Sequence, residues 1–168
     1  DRSEILAWLS PLEPNVRHQN AEASRVANVG SWLLGTKQFQ NWCNGDSQNE
    51  FDKATIFCYG SPGAGKTYIS SLVVDTLCDR ARGQNIAVIC FYFDFAAEKE
   101  QTPSSMLGAL LKQMVGRLDK ILGEIMQEFE EQGKVIGGRK LRLDQIVKTL
   151  EIVTSLQRTY ICIDAIDE

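Results

Sequence analysis

One glycine-rich segment of the sequence has the residue types and the spacing of a phosphate-binding loop. The pattern G-x-x-x-x-G-K-[ST] is matched by Gly60, Ser61, Pro62, Gly63, Ala64, Gly65, Lys66 and Thr67. Glycines let successive backbone N–H groups face an anion, and a helix that begins at the lysine adds partial positive charge. The lysine of such a loop contacts the β- and γ-phosphates, and the threonine hydroxyl is a ligand of Mg²⁺. The segment therefore predicts a site for a Mg²⁺-bound nucleoside triphosphate.

Three carboxylates follow an apolar run near residue 168. The run is Tyr160–Ile163, and the acids are Asp164, Asp167 and Glu168. In a parallel sheet, a strand beside the phosphate-loop strand would bring Asp164 close to Thr67, where both could hold Mg²⁺. A carboxylate beyond the strand end could orient or deprotonate an attacking water. We expect Asp164 to be the second metal ligand and Glu168 to be the catalytic residue, with Asp167 as the competing candidate.

The apolar runs of the sequence indicate the elements that would position these residues. Ala54–Tyr59, Ile86–Phe95 and Tyr160–Asp164 have the composition of buried parallel strands. Helical periodicity separates them, and strands that alternate with helices are typical of a parallel α/β sheet. The predicted fold class is therefore α/β, a three-layer P-loop NTPase sheet that is partial, with three strands and flanking helices.

The helical segments also suggest how the chain is organised. Six are predicted, at Ser3–Leu9, around Thr36–Trp42, and near residues 69–77, 103–118, 121–129 and 143–156, with a polar stretch up to Asn28 between the first two. Residues 1–50 carry three tryptophans but are too few for a core of their own. We expect residues 1–50 to be a lead-in that packs on an NTPase core formed by residues 51–168.

Composition excludes several other classes of protein. The chain has 168 residues, 18 Lys and Arg against 22 Asp and Glu, and a net charge of −4, which argues against a dedicated nucleic-acid-binding protein. It contains neither a membrane-spanning run nor a basic signal-peptide start, so a soluble, cytoplasmic location is expected. The five cysteines form no C-x-x-C pair, which favours reduced, buried thiols. We expect His18 to be solvated or hydrogen-bonded structurally and not to be catalytic.

Several segments together resemble the NTPase domain of NACHT-type STAND proteins. They are GSPGAGKT, FYFDF, LLKQM and TYICIDAIDE, and the opening ILAWLSPLEP with RVANVGSWLL resembles the lead-in of nephrocystin-type NACHT domains in fungal multidomain receptors. The resemblance implies binding of ATP, or alternatively GTP, with slow hydrolysis that switches oligomerisation and signalling. It also implies self-association, and repeat or effector domains in the same longer chain.

The chain departs from the resembled family at two places. The family commonly has glycine where this chain has Ala165, and R-x-x-G-T-G-x-W where this chain has Asn28-Val29-Gly30 after Arg25. The family's later strands are absent, so we expect the sequence to be part of a longer protein. Two other functions stay open at this point: a mechanochemical ATPase of the AAA+ type, and an interaction module that holds nucleotide structurally.

Overall fold

The computed structural model describes residues 1–45, 55–138 and 140–166, which form a mixed α/β structure that is mostly helical. Its elements are α1 (Arg2–Leu9), α2 (Pro14–Ser24), α3 (Ser31–Leu34), α4 (Lys37–Asn44), α5 (Lys66–Ala81), β1 (Ile86–Tyr92), a 3-10 helix (Phe95–Glu100), α6 (Pro103–Arg117), α7 (Gly123–Gln132), α8 (Leu143–Ser155) and β2 (Arg158–Asp164). The six predicted helices are therefore confirmed as α1 and α4–α8.

Threonine side chains determine where two of the predicted helices begin. Thr36 Oγ1 accepts a hydrogen bond of 3.2 Å from the backbone N–H of Phe39. Thr102 Oγ1 accepts one of 3.2 Å from Ser105, and Pro103 occupies the first position of α6. Each hydroxyl satisfies a backbone donor that has no partner inside its helix. These local signals explain why the starts of α4 and α6 are readable from the sequence.

Helix α2 corrects the expectation of a polar stretch up to Asn28. It begins at Pro14, whose ring fixes the φ angle that a first helical residue needs. Its buried residues are Pro14 and Ala21, so no regular apolar stripe marks it. Hydrophobic periodicity does not predict this helix, because α2 buries too few side chains to form an apolar stripe.

The sheet consists of β1 and β2, which pair in parallel. Their register runs from Ile86 opposite Arg158 to Tyr92 opposite Asp164. Residues 87–92 are all buried, as expected of a strand that is covered on both faces. One face packs against side chains of α1, α6, α7 and α8, and the other against side chains of α2–α5. Strand β2 is less covered than β1, because Tyr160 and Cys162 pack on the side of α2–α5 whereas Ile161 and Ile163 are exposed.

The predicted strand Ala54–Tyr59 is wrong for the residues that the structure describes. Residues 55–60 have no regular secondary structure, and Ala54 lies outside the described residues. The exposed fractions of Phe57 and Tyr59 are 72% and 97%. A strand is stabilised by hydrogen bonds to a neighbouring strand, and residues 55–60 pair with neither β1 nor β2. The sheet of the described chain therefore has two strands where three were predicted.

The first helix packs on a helix that lies about a hundred positions later. A Cβ atom added at Gly108 of α6 would lie 2.5 Å from the carbonyl oxygen of Leu9. The Arg2 guanidinium donates to the carbonyl oxygens of Val115, at 3.1 Å, and Leu118, at 2.6 Å. Arg2 therefore adds donors at the end of α6, where the Val115 carbonyl also accepts a hydrogen bond from the backbone N–H of Leu118. The lead-in contacts the rest of the fold, although the predicted boundary between residues 50 and 51 stays a prediction.

The described residues bear on two further expectations, one about the cysteines and one about membrane-spanning segments. All five cysteines are free thiols, and Cys43 and Cys90 are buried as expected. The expectation of burial is wrong for Cys58, which is exposed because residues 55–60 do not form the predicted strand. None of the helices in the described part of the chain is long and apolar enough to cross a membrane.

Candidate functional site

The predicted phosphate loop forms an exposed turn that leads directly into α5. Its exposed residues are Gly60, Ser61, Pro62, Gly63 and Ala64. Gly63 and Gly65 have φ angles of +78° and +87°, which side-chain-bearing L-residues rarely adopt. Lys66 is the first residue of α5, and its Nζ donates a hydrogen bond of 2.9 Å to the carbonyl oxygen of Gly60. The lysine thus folds back over the turn that it follows.

Thr67 and Asp164, the two predicted metal ligands, are in direct contact. Thr67 Oγ1 donates to Asp164 Oδ2 at 2.7 Å, and Ser70 Oγ donates to Asp164 Oδ1 at 2.8 Å. Thr67 and Ser70 are three residues apart and share one face of α5. Asp164 ends β2, and only 6% of its surface is exposed. The pair was predicted to meet through adjacent strands, whereas the structure brings it together by packing α5 against β2.

The Asp164 carboxylate is buried without a cationic partner among the described residues. No ion pair of the described chain includes it, and its two hydrogen-bond donors are neutral hydroxyls. Burial of a carboxylate is unfavourable unless charge or hydrogen bonds compensate it. Burial, with further contributions from Cys90 and Asp164, raises the pKa of the neighbouring Tyr92 hydroxyl. Carboxylate and hydroxyl oxygens are ligands that Mg²⁺ accepts, so the arrangement suits a hard cation.

The two candidate catalytic carboxylates, Asp167 and Glu168, lie outside the described residues. Their roles stay predictions.

Both departures from the resembled family have a backbone conformation that favours glycine. Asn28 has φ +64° and Ala165 has φ +57°. Asparagine tolerates this left-handed region better than other residues, whereas alanine is strained in it. Gly30, in the same lead-in segment, has φ +82°, and a Cβ there would lie 2.8 Å from Cγ1 of Ile69 in α5. The segment therefore contacts the first turns of the helix that carries Lys66 and Thr67.

Ser70 is the site residue that the sequence analysis missed. A serine inside a helix has no distinctive pattern, but its position three residues after Thr67 places it on the same helix face. That spacing was the available signal. The spacing identifies Ser70 as a site residue only when it is known that this face of α5 meets Asp164.

His18 has the structural role that was expected. Its Nδ1 lies 2.8 Å from the Tyr92 hydroxyl, and its Nε2 lies 2.9 Å from Asp75 Oδ1. Arg25 lies 2.7 Å from the other oxygen of Asp75. Potential ligand atoms of His18, Glu22 and Asp75 lie within 4.8 Å of one another. Tyr92 contacts His18 and Arg25 contacts Asp75, so these hydrogen bonds and this ion pair join α2 to α5 and β1.

Comparisons with known proteins place most of the chain in one family. The family model described as "Nephrocystin 3, N-terminal" matches residues 28–168. The vegetative incompatibility protein HET-E-1 of Podospora anserina is 24% identical over 162 residues. That alignment covers 94% of this chain but only 11% of the relative. No solved structure matches the chain. The residues from Gly60 to Asp164 lie inside the matched range, whereas His18 and Arg25 lie before it.

Proposed function

The chain belongs to the nephrocystin 3 N-terminal family, and from this premise we propose that it binds a Mg²⁺-nucleoside triphosphate and hydrolyses it slowly as a switch. ATP is the proposed nucleotide, with GTP as the alternative. The observation that carries the proposal is the contact between Thr67 and Asp164 at 2.7 Å, beside a glycine turn with the phosphate-loop pattern. The proposal is supported because the glycine turn and Asp164, which are far apart in the sequence, lie on either side of Thr67.

The residues of the turn have the chemistry to hold phosphates. Lys66 Nζ donates a hydrogen bond to a neutral backbone carbonyl, so an anion can replace that acceptor with a charge-assisted hydrogen bond. The N-terminus of α5 adds backbone N–H donors and partial positive charge. Thr67 and Asp164 would hold Mg²⁺, because the buried carboxylate has hydroxyl donors but no described cation. When bound, Mg²⁺ supplies positive charge that offsets the β- and γ-phosphates.

Hydrolysis requires a group that orients or deprotonates water. In this proposal Glu168 takes a proton from the attacking water. The oxygen of the water bonds to the γ-phosphorus, and the bond from phosphorus to the leaving nucleoside diphosphate breaks. Asp167 is the alternative. Slow turnover suits a switch because the γ-phosphate must persist long enough to bias an assembly.

We further propose that the nucleotide state controls association of a longer protein. The relative HET-E-1 is named for vegetative incompatibility, and this chain matches 11% of it. Because the match covers so small a part of that relative, the proposed switch would act together with repeat or effector domains elsewhere in the same polypeptide. Self-association in the triphosphate-bound state is the expected output.

The test is Lys66→Ala. Calorimetric titration with Mg-ATP and Mg-GTP should give binding heat for the unchanged protein and none for the variant, because the loss leaves phosphate charge without compensation. Lys37→Ala, an exposed lysine at the start of α4, is the matched control and should bind normally. Circular dichroism of both variants checks the fold. Equal affinity of Lys66→Ala and unchanged protein would overturn the proposed site, and rapid steady-state turnover would favour a motor function instead.

A further inference from the structure

We propose that Ser70 is a positioning residue that fixes the orientation of the Asp164 carboxylate for Mg²⁺. The inference rests on the proposed function and deepens it at the same site. Ser70 Oγ donates to Asp164 Oδ1 at 2.8 Å, while Thr67 Oγ1 donates to Oδ2 at 2.7 Å. Each carboxylate oxygen thus has its own donor from the same face of α5.

Two donors constrain the carboxylate in a way that one cannot. With Thr67 alone, the group could rotate about its Cβ–Cγ bond and still keep one hydrogen bond. With Ser70 on the second oxygen, rotation breaks at least one bond. Thr67 is also the proposed metal ligand, so its hydroxyl must serve the cation and Asp164 together. Ser70 has no such second task, and it holds Asp164 whether or not the cation is present.

The neutrality of Ser70 is what makes it suitable. A lysine or arginine in its place would hold the carboxylate at least as firmly, but its charge would repel a cation. A hydroxyl orients the carboxylate and leaves its negative charge available. The described structure therefore has a buried carboxylate that is oriented at both oxygens without being neutralised by a described ion pair.

The experiment measures how strongly Mg²⁺ increases nucleotide affinity. The dissociation constant of a fluorescent ATP analogue is measured with excess Mg²⁺ and with EDTA, for the unchanged chain and for Ser70→Ala. In the variant, the factor by which Mg²⁺ increases affinity should be about tenfold smaller, which is the effect of one hydrogen bond to a charged group. Its affinity in EDTA should be unchanged. Ser70→Thr keeps a hydroxyl and should retain most of the gain.

Ser71→Ala is the matched control, because Ser71 is the next residue, is fully buried and receives a hydrogen bond from Arg25 instead. It should change thermal stability but not the Mg²⁺-dependent gain. If Ser70→Ala does not fold, Ser70→Cys, with a weak donor of similar size, should show an intermediate loss. An unchanged Mg²⁺ gain in a folded Ser70 variant without the hydroxyl would overturn the inference alone. Absence of nucleotide binding by the unchanged chain, with and without Mg²⁺, would overturn the proposed function and this inference together.

Discussion

Thr67 and Asp164 are 97 positions apart in the sequence, and a hydrogen bond of 2.7 Å joins them. The bond ties the first turn of α5 to the last residue of β2. Because Asp164 is buried, its hydrogen-bond donors contribute to the stability of the fold as well as to the candidate site. Substitutions here should therefore be detectable in unfolding experiments that contain no nucleotide.

Thr67→Val should lower the free energy of unfolding by about 1–2 kcal/mol. The substitution keeps the shape of the side chain but removes the donor, which leaves one oxygen of a buried carboxylate without its partner. Thr67→Ser keeps the hydroxyl and should be close to the unchanged protein. Urea unfolding followed by tryptophan fluorescence measures both. A Thr67→Val protein as stable as Thr67→Ser would show that the hydrogen bond adds no net stability.

Ala165→Gly should raise the free energy of unfolding by about 0.5–1 kcal/mol. Alanine at φ +57° is strained by about 1–2 kcal/mol, and glycine removes that strain while adding some entropy to the unfolded chain. The matched control is Ala7→Gly on the exposed side of α1, where glycine should lower stability. Thermal unfolding of the two variants gives opposite signs if the left-handed conformation is present at residue 165. Two shifts in the destabilising direction would count against it.

Gly108→Ala should destabilise the chain by about 2–3 kcal/mol, since the new Cβ would lie 2.5 Å from the Leu9 carbonyl oxygen. Gly116→Ala, in the same helix, meets no heavy atom within 4 Å and should be neutral or stabilising by up to about 1 kcal/mol. Urea midpoints of the two variants measure the contrast. Equal midpoints for the two variants would contradict the close packing of α1 on α6.

The stability of the chain should fall as the pH rises above about 9. Burial raises the pKa of Cys90 from 9.0 to about 11 and that of Cys162 to about 12. Between the unfolded and folded pKa values, the folded state keeps a proton that the unfolded state has lost. The stabilisation that this proton provides is therefore complete below pH 9 and declines as the pH rises to the folded pKa. Each thiol contributes a slope of about 1.4 kcal/mol per pH unit in that range.

Unfolding in urea under reducing conditions at pH 7, 9, 10 and 11 checks this prediction. Cys90→Ala removes one of the two thiols, Cys90 and Cys162, whose raised pKa produces the slope, so its stability should decline less steeply with pH, whatever its stability at pH 7. A slope that is the same in Cys90→Ala and in the unchanged chain would contradict the assignment to Cys90.

The elements that were readable from the sequence are those with local causes. Thr102 and Pro103 mark the start of α6 by capping and by a fixed φ angle, and the apolar run from Ile86 marks β1 by its burial. Helix α2 lacked a stripe of apolar residues, so the same reasoning missed it. A sequence signal that lies within one helical turn or one strand can be recognised without knowing which other segments the element packs against.

The parts that could not be read depend on contacts between distant segments. The run before Gly60 has strand composition, yet residues 55–60 are irregular because composition does not specify a neighbour to pair with. Thr67 and Asp164 were expected to meet, but the helix-on-strand contact that joins them was not foreseen. Ser70 was missed for the same reason, since only the packing of α5 on β2 shows which of its faces meets Asp164.

The contact between Arg2 and the end of α6 sets an order of events during synthesis. Arg2 donates to the carbonyl oxygen of Leu118, which is 116 positions later. At about 5–20 residues per second, the ribosome needs roughly 6–23 s to add that stretch. A helix of eight residues is not stable alone in water. Ile5 and Leu9 therefore leave the ribosome well before their packing partners, and they are buried only after α6 has been made.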